Sequence, residues 1–182
     1  MKKEYITLSK NGISSRGKLI YNQKMIPKRQ FRYGLRSSAA VGCGWIATYN
    51  ALVLMGYPAE EKELIRYYTW QLPLINGNFG TFLFGPAIYF WKKGFGVKIS
   101  FRKKRFDRML KRDGLGILFY YWHRKWKIGA HFVTVEYKDG KVVGYNTFSN
   151  STGPDIYGAR LDTFLKERKY CFPMLVTIRE KG

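Results

Sequence analysis

Cys43, His131 and Asn146 are the side chains of this sequence whose types, order and surroundings could together do covalent chemistry. Cys43 stands between Gly42 and Gly44 at the head of an uncharged stretch, CGWIATYNALVLM. A helix starting there offers the sulfur unpaired amides and a partial positive charge, which stabilise a thiolate and lower its pKa. The flanking glycines lack a Cβ and so let a substrate backbone come close. His131 opens the alternating run HFVTVEY, 88 residues after the cysteine. A base on a rigid strand can be held facing a nucleophile on a helix. Asn146 follows fifteen residues later, in the next strand of an expected hairpin. Its amide oxygen could there fix the tautomer and orientation of the imidazole. Nucleophile, base and orienter in this arrangement are the parts of a thiol acyl-transfer site.

Each residue also has a plainer reading. A cysteine in an apolar helix commonly serves as a small buried hydrophobe. A lone histidine on a strand is commonly a satisfied core or surface group, and Asn146 could cap its strand or serve the turn TFSNSTG. The combination is what points to chemistry. Among the other candidates, His123 lies among cations after a strand and reads as a loop residue. Trp45 either walls a cleft or packs the core. Cys171 reads as packing at a strand start, with a Cys43–Cys171 disulfide as the alternative that would silence Cys43. Two cysteines and two histidines, none at ligand spacing, lead us to expect no metal or cofactor.

The elements that must position these groups can be read along the chain. The uncharged stretch predicts a helix over 43–55, stopped by Gly56 and Pro58. Being apolar on every side, it must be buried on every side. Further helices are expected over 59–71, where Glu60, Glu61 and Glu63 suit the positive end of the dipole, and over 81–93 after the loop PLINGNFG. Strands then dominate, at 97–101, 116–122, 130–137, 141–147 and 172–179, with short helices at 106–114 and 161–169. GILFYYW reads as a strand covered on both faces, and Asp139-Gly140 between two apolar runs as a hairpin turn. The fold class is α+β: an N-terminal helical half, with the buried nucleophile helix, packed on a C-terminal antiparallel sheet. No linker or repeat divides the chain, so one domain over 1–182 is expected. Residues 1–36 form a basic, extended lead-in, in which GKLIYNQKMI is a strand or a covering loop.

Composition narrows the function classes. A hydrophobic fraction of 46% with 18% aromatics excludes a disordered chain. No run approaches the ~20 apolar residues of a membrane span, and the N-terminus lacks the apolar stretch of a secretory signal. A cytoplasmic location is expected, with secretion by another route as the alternative. Lys plus Arg is 33 against 12 Asp plus Glu, a net charge of +21. Segments 1–36, with ten basic and one acidic residue, and 92–127, with thirteen and two, hold nearly all of the excess. Such segments attract an anionic partner: nucleic acid, acidic peptide or cell-wall polymer.

The block GCGWIATYNALVLMG resembles the nucleophile helix of papain-like cysteine peptidases, especially the bacterial group of bacteriocin-processing, double-glycine-leader peptidases. The later block GAHFVTVEYKDGKVVGYNT resembles the histidine strand, charged hairpin and third-residue strand of the same group. The similarity spans about residues 37–150. It implies a papain-like fold and thiol-dependent hydrolysis of peptide bonds in a peptide or protein substrate. Cys43 is then the nucleophile, His131 the general base and acid, and Asn146 the orienter. Two positions depart from the family pattern. Ser37 stands six residues before the cysteine, where the family carries the Gln that donates to the oxyanion. Ser37 or Ser38 could donate there, or Gln30 could fold in, beside the Cys43 amide as the other donor. Asn146-Thr147 replaces the usual Asp-Pro. The alternative to a peptidase is a catalytically degenerate papain-like module binding nucleic acid or another polyanion. A secreted cationic factor acting on cell walls is a third reading.

Overall fold

The computed structural model describes residues 18–27, 31–33, 36–70, 80–124 and 127–181. Most of the basic lead-in, Gln30, the loop PLINGNFG up to its last glycine and the middle of HRKWK lie outside the described residues. In chain order the elements are β1 (Arg32–Tyr33), β2 (Arg36–Ser37), α1 (Ser38–Val41), α2 (Cys43–Leu54), α3 (Glu61–Trp70), α4 (Gly85–Lys92) and β3 (Gly96–Ser100). There follow α5 (Lys103–Asp113), β4 (Leu115–Arg124), β5 (Lys127–Lys138), β6 (Lys141–Tyr145), β7 (Asp155–Gly158), α6 (Leu161–Glu167) and β8 (Cys171–Arg179).

The main sheet is antiparallel throughout, in the order β3-β8-β4-β5-β6-β7. Every residue of α2 except Val53 is buried, as its lack of charge requires. Its backbone is tied to the sheet where Thr134 Oγ1 donates to the Ala47 carbonyl at 2.8 Å. α2 and α4 pack over one face of the sheet, in a core with Ile117, Phe119, Phe132, Tyr145, Met174 and Val176, and α3 packs on α2. The α+β class read from the sequence holds, with the apolar helix laid on the antiparallel sheet.

Both faces are covered. Phe106 and Leu110 of α5, with Leu161 and Leu165 of α6, pack against Leu118, Val133, Val135 and Leu175 on the second face. β4 is therefore buried on both sides over residues 115–120, as its apolar run requires, while Tyr121 is exposed and Trp122 half-buried. Helices thus occur on both sides of the sheet, not only in the N-terminal half.

Local differences have local causes. α4 starts at Gly85 rather than Thr81 because Pro86 is tolerated only in a first turn. β6 ends at Tyr145 because Asn146 takes a left-handed backbone, φ 63°, which breaks the ladder. His123 lies within β4, paired with Ile128, rather than in a loop. Residues 18–27 pack against the body of the protein. Leu19, Ile20, Tyr21 and Ile26 are core residues, and a short 3₁₀ turn, Gln23–Met25, packs on α1. The covering-loop alternative for GKLIYNQKMI describes this segment, a strap over α2. Asn50, wholly buried on α2, accepts from the Ile20 N–H and donates to the Ile20 carbonyl, both at 2.8 Å.

Candidate active site

Cys43 opens α2 immediately after the turn at Gly42, and its side chain is 8% exposed. Its thiol meets the amides of Phe132, Gly44 and Cys43 itself. Burial outweighs these donors and pushes the thiol up to about 11, against 9.0 in water. The expected lowering by the helix start is therefore overturned in this arrangement. The amides are present, but desolvation of a thiolate is the larger effect.

The glycines framing Cys43 also have a different cause from the one read in the sequence. A Cβ on Gly44 would come within 2.1 Å of Thr81 Oγ1, and one on Gly42 within 2.6 Å of Trp45 Nε1 and the Ser38 carbonyl. The close approach they permit is made by the protein's own side chains. Trp45 is a core residue, fully buried, with its Nε1 donating to Ser38 Oγ at 3.1 Å. Ser38 is thereby engaged as an acceptor in the core. Ser37 is partly buried at the β2–α1 junction, and its side chain does not cap α1.

His131 pairs across the ladder with Tyr120, whose ring lies 6.0 Å from the imidazole and stacks on Tyr170 at 4.1 Å. Along β5, Phe132 and Thr134 face α2, while His131 and Val133 point to the opposite face. Because β6 stops at Tyr145, opposite Thr134, the β6-side edge of β5 is open at Phe132, and that N–H turns to the Cys43 thiol. The thiol and the imidazole thus approach the same strand end from its two faces. Among the described residues, no hydrogen bond joins them.

His131 Nε2 lies 2.7 Å from the backbone carbonyl of Asn146. A carbonyl only accepts, so Nε2 carries the proton and Nδ1 holds the lone pair. Burial lowers the imidazole's pKa and this bond partly offsets it, leaving His131 neutral near pH 7. The Asn146 side chain, expected to touch the ring, is engaged elsewhere. Its Oδ1 accepts from the Gln23 N–H at 2.7 Å, and its Nδ2 donates to Gln23 Oε1 at 3.3 Å. Gln23 Nε2 in turn donates to the Ala39 carbonyl of α1 at 3.4 Å. Beside it, Asn22 Nδ2 donates to the Ser149 carbonyl at 2.8 Å. Sequence reasoning did not single out Gln23. The available signal was a pair of amides, Asn22-Gln23, set in the apolar run LIYNQKMI, where each amide needs a partner.

A cleft of about 460 Å³ opens at this junction. Asn22, Gln23, Lys24, Ala39 and Ala40 form one wall; Tyr120, Trp122, Ala130, His131, Tyr170 and residues 146–150 form the rest. Cys43 is not one of its lining residues. Among the described residues no carboxylate lines it either, while Lys24 does; Arg168 sits over the Phe148 ring at 5.1 Å, and Lys103 Nζ reaches the Tyr170 carbonyl at 3.4 Å. Both cysteines are free, Cys43 buried and Cys171 exposed, so neither the disulfide nor packing of Cys171 applies. His123 is exposed on β4. Among the described residues, no three His, Cys, Asp or Glu side chains are grouped to hold a metal ion, and no helix is long and apolar enough to cross a membrane.

No family model matches the sequence, and no curated protein does. Among solved structures, the chain is similar to the peptidase domain of Streptococcus ComA, a bi-functional ABC transporter involved in a quorum sensing pathway. The TM-score is 0.49 at 10% identity, over 76% of this chain and 91% of that one.

Proposed function

We propose that the chain is a papain-like cysteine peptidase in which Cys43 is the nucleophile and His131 the general base and acid. The observation that carries this reading is the hydrogen bond from His131 Nε2 to the Asn146 carbonyl, made beside the strand end where the Cys43 thiol sits. It leaves Nδ1 unprotonated and fixes the ring, which is what a base for that thiol requires. Nδ1 takes the thiol proton, and the sulfur attacks the scissile carbonyl carbon as the C=O electrons move to oxygen. Collapse breaks the C–N bond, and the departing amine takes the proton from Nδ1. Water, deprotonated by Nδ1, then releases the acid from the thioester and restores the thiol. The imidazolium formed in these steps strengthens its bond to the Asn146 carbonyl, because the donor becomes charged. Asn146 acts as orienter through its main chain. The oxyanion would be met by the Cys43 amide, with Ser37 as the side-chain candidate.

The resting site holds a neutral thiol and a neutral imidazole, so substrate binding must bring sulfur and Nδ1 together before proton transfer. The cations around the cleft favour an acidic peptide as substrate, and the exposed row Lys104, Arg105, Arg108 and Lys111 on α5 is the surface proposed for an anionic partner. The test is reaction with an electrophilic peptide, such as a peptidyl epoxide, read by mass spectrometry. Modification of buried Cys43 ahead of exposed Cys171, abolished by His131→Ala, is expected. Modification of Cys171 alone, indifferent to His131→Ala, would overturn the reading.

A further inference from the structure

We infer that Gln23, on the N-terminal strap, is a positioning residue for His131 and sets its tautomer through Asn146. The inference rests on the reading above only for its catalytic meaning. Its geometric basis is a chain of three bonded links.

His131 depends on one carbonyl, that of Asn146. Asn146 is a single residue in the left-handed region, φ 63°, just past the end of β6, so the ladder does not hold it. Asparagine tolerates this conformation without requiring it, so something else must fix which way the carbonyl points. Gln23 supplies that constraint at two points, its N–H on Asn146 Oδ1 and its Oε1 on Asn146 Nδ2. Two antiparallel bonds between an amide side chain and a neighbouring residue restrict both position and rotation, as one bond would not. Gln23 is itself fixed from three sides. Its Nε2 bonds the Ala39 carbonyl of α1, Asn22 bonds the Ser149 carbonyl beyond Asn146, and Asn50 holds the strap at Ile20. The imidazole is thus oriented through a segment more than a hundred residues away in sequence. When the Gln23 side chain is lost, one bond remains, from the main-chain N–H to Asn146 Oδ1; Asn146 Nδ2 loses its partner, the side chain can rotate, and the carbonyl is held less firmly against Nε2–H.

The test reads the ring directly by ¹⁵N NMR of the histidine side chains, without substrate, so it does not depend on catalysis. In the parent protein His131 is expected as the Nε2–H tautomer. Gln23→Ala should shift it to a mixture of the two neutral tautomers. Both variants keep the main-chain donor; Gln23→Glu also keeps an acceptor for Asn146 Nδ2, and should restore the single tautomer. Should Gln23→Ala not fold, Asn146→Gly removes the other half of the clasp while keeping the left-handed backbone, and should give the same mixture. Where peptide hydrolysis is measurable, Gln23→Ala should lower kcat by on the order of 10²-fold with KM little changed. A parent-like tautomer in Gln23→Ala, or equal disturbance by Gln23→Ala and Gln23→Glu, would overturn the inference. A single tautomer in the parent, mixed in Gln23→Ala, with no peptide cleaved by either, would leave the inference standing and sink the peptidase reading alone.

Discussion

At the scale of single residues, the burial of the Cys43 thiol has a measurable consequence for stability. The folded protein holds this group at about 11 against 9.0 unfolded, so burial favours the protonated form. Between those values the unfolded chain loses a proton that the folded one keeps, and stability falls as pH rises. The contribution is fully present below pH 9 and gone above pH 11, and amounts to roughly 2–3 kcal/mol, two pK units. Urea unfolding at pH 8 and 10.5 should therefore show a steeper loss for the parent than for Cys43→Ala; parallel losses would contradict it. Asn146 makes a second residue-scale case. Its carbonyl meets His131 and its side chain only holds that carbonyl in place, so Asn146→Gly should lose activity to about the extent of Gln23→Ala yet keep more than His131→Ala under the proposed mechanism. A β-branched residue there should do worse than glycine, because φ 63° strains it. Peptide turnover by the variants checks this order.

At the scale of elements, α2 is fixed on three sides, and each contact can be broken singly. Asn50→Ala leaves the Ile20 N–H and carbonyl buried without their partner. This should cost on the order of 3 kcal/mol and raise amide hydrogen exchange across residues 18–27 before elsewhere. Uniform loss of protection would mean that the strap is not held independently. Gly44→Ala drives a Cβ into Thr81, whose neighbour is the buried Tyr33 hydroxyl at 3.1 Å. We expect a loss of roughly 1–3 kcal/mol, partly recovered by adding Thr81→Gly. If the glycine instead served substrate approach alone, stability would be unchanged and only KM would rise. The helix itself was legible because CGWIATYNALVLM has no face to show to water. The hairpin was legible because Asp139-Gly140 suits a turn with positive φ at both residues, 50° and 75°. α1 and β7 were not, since runs of four residues carry no usable period.

At the scale of the whole molecule, charge is the dominant variable. α5 buries Phe106, Met109 and Leu110 and turns Lys104, Arg105, Arg108 and Lys111 outward. The cleft carries Lys24 on its lining and, among the described residues, no carboxylate. Acidic peptides should accordingly bind Cys43→Ala more tightly than neutral ones of equal length, and the preference should shrink as salt is raised from 50 to 300 mM. Fluorescence anisotropy reads this, and a salt-independent preference would argue against the electrostatic account. Neutralising Lys104, Arg105 and Arg108 together should weaken retention on heparin, used as a model polyanion, without moving Tm appreciably, because exposed cations contribute little to stability.

By itself the sequence determined which residues could react, which helix had to be buried and that an antiparallel sheet would receive it. These follow from local pattern: a glycine-framed cysteine, a run without charge, alternation around an Asp-Gly turn. Only the tertiary structure decided how the reactive groups stand. Whether a helix start lowers a thiol's pKa depends on how much water the fold leaves around it, and here burial wins. Whether an asparagine orients a histidine by side chain or main chain depends on where its strand ends, and β6 ends one residue before Asn146. The role of Gln23 required contact between positions 123 residues apart, which no local period encodes.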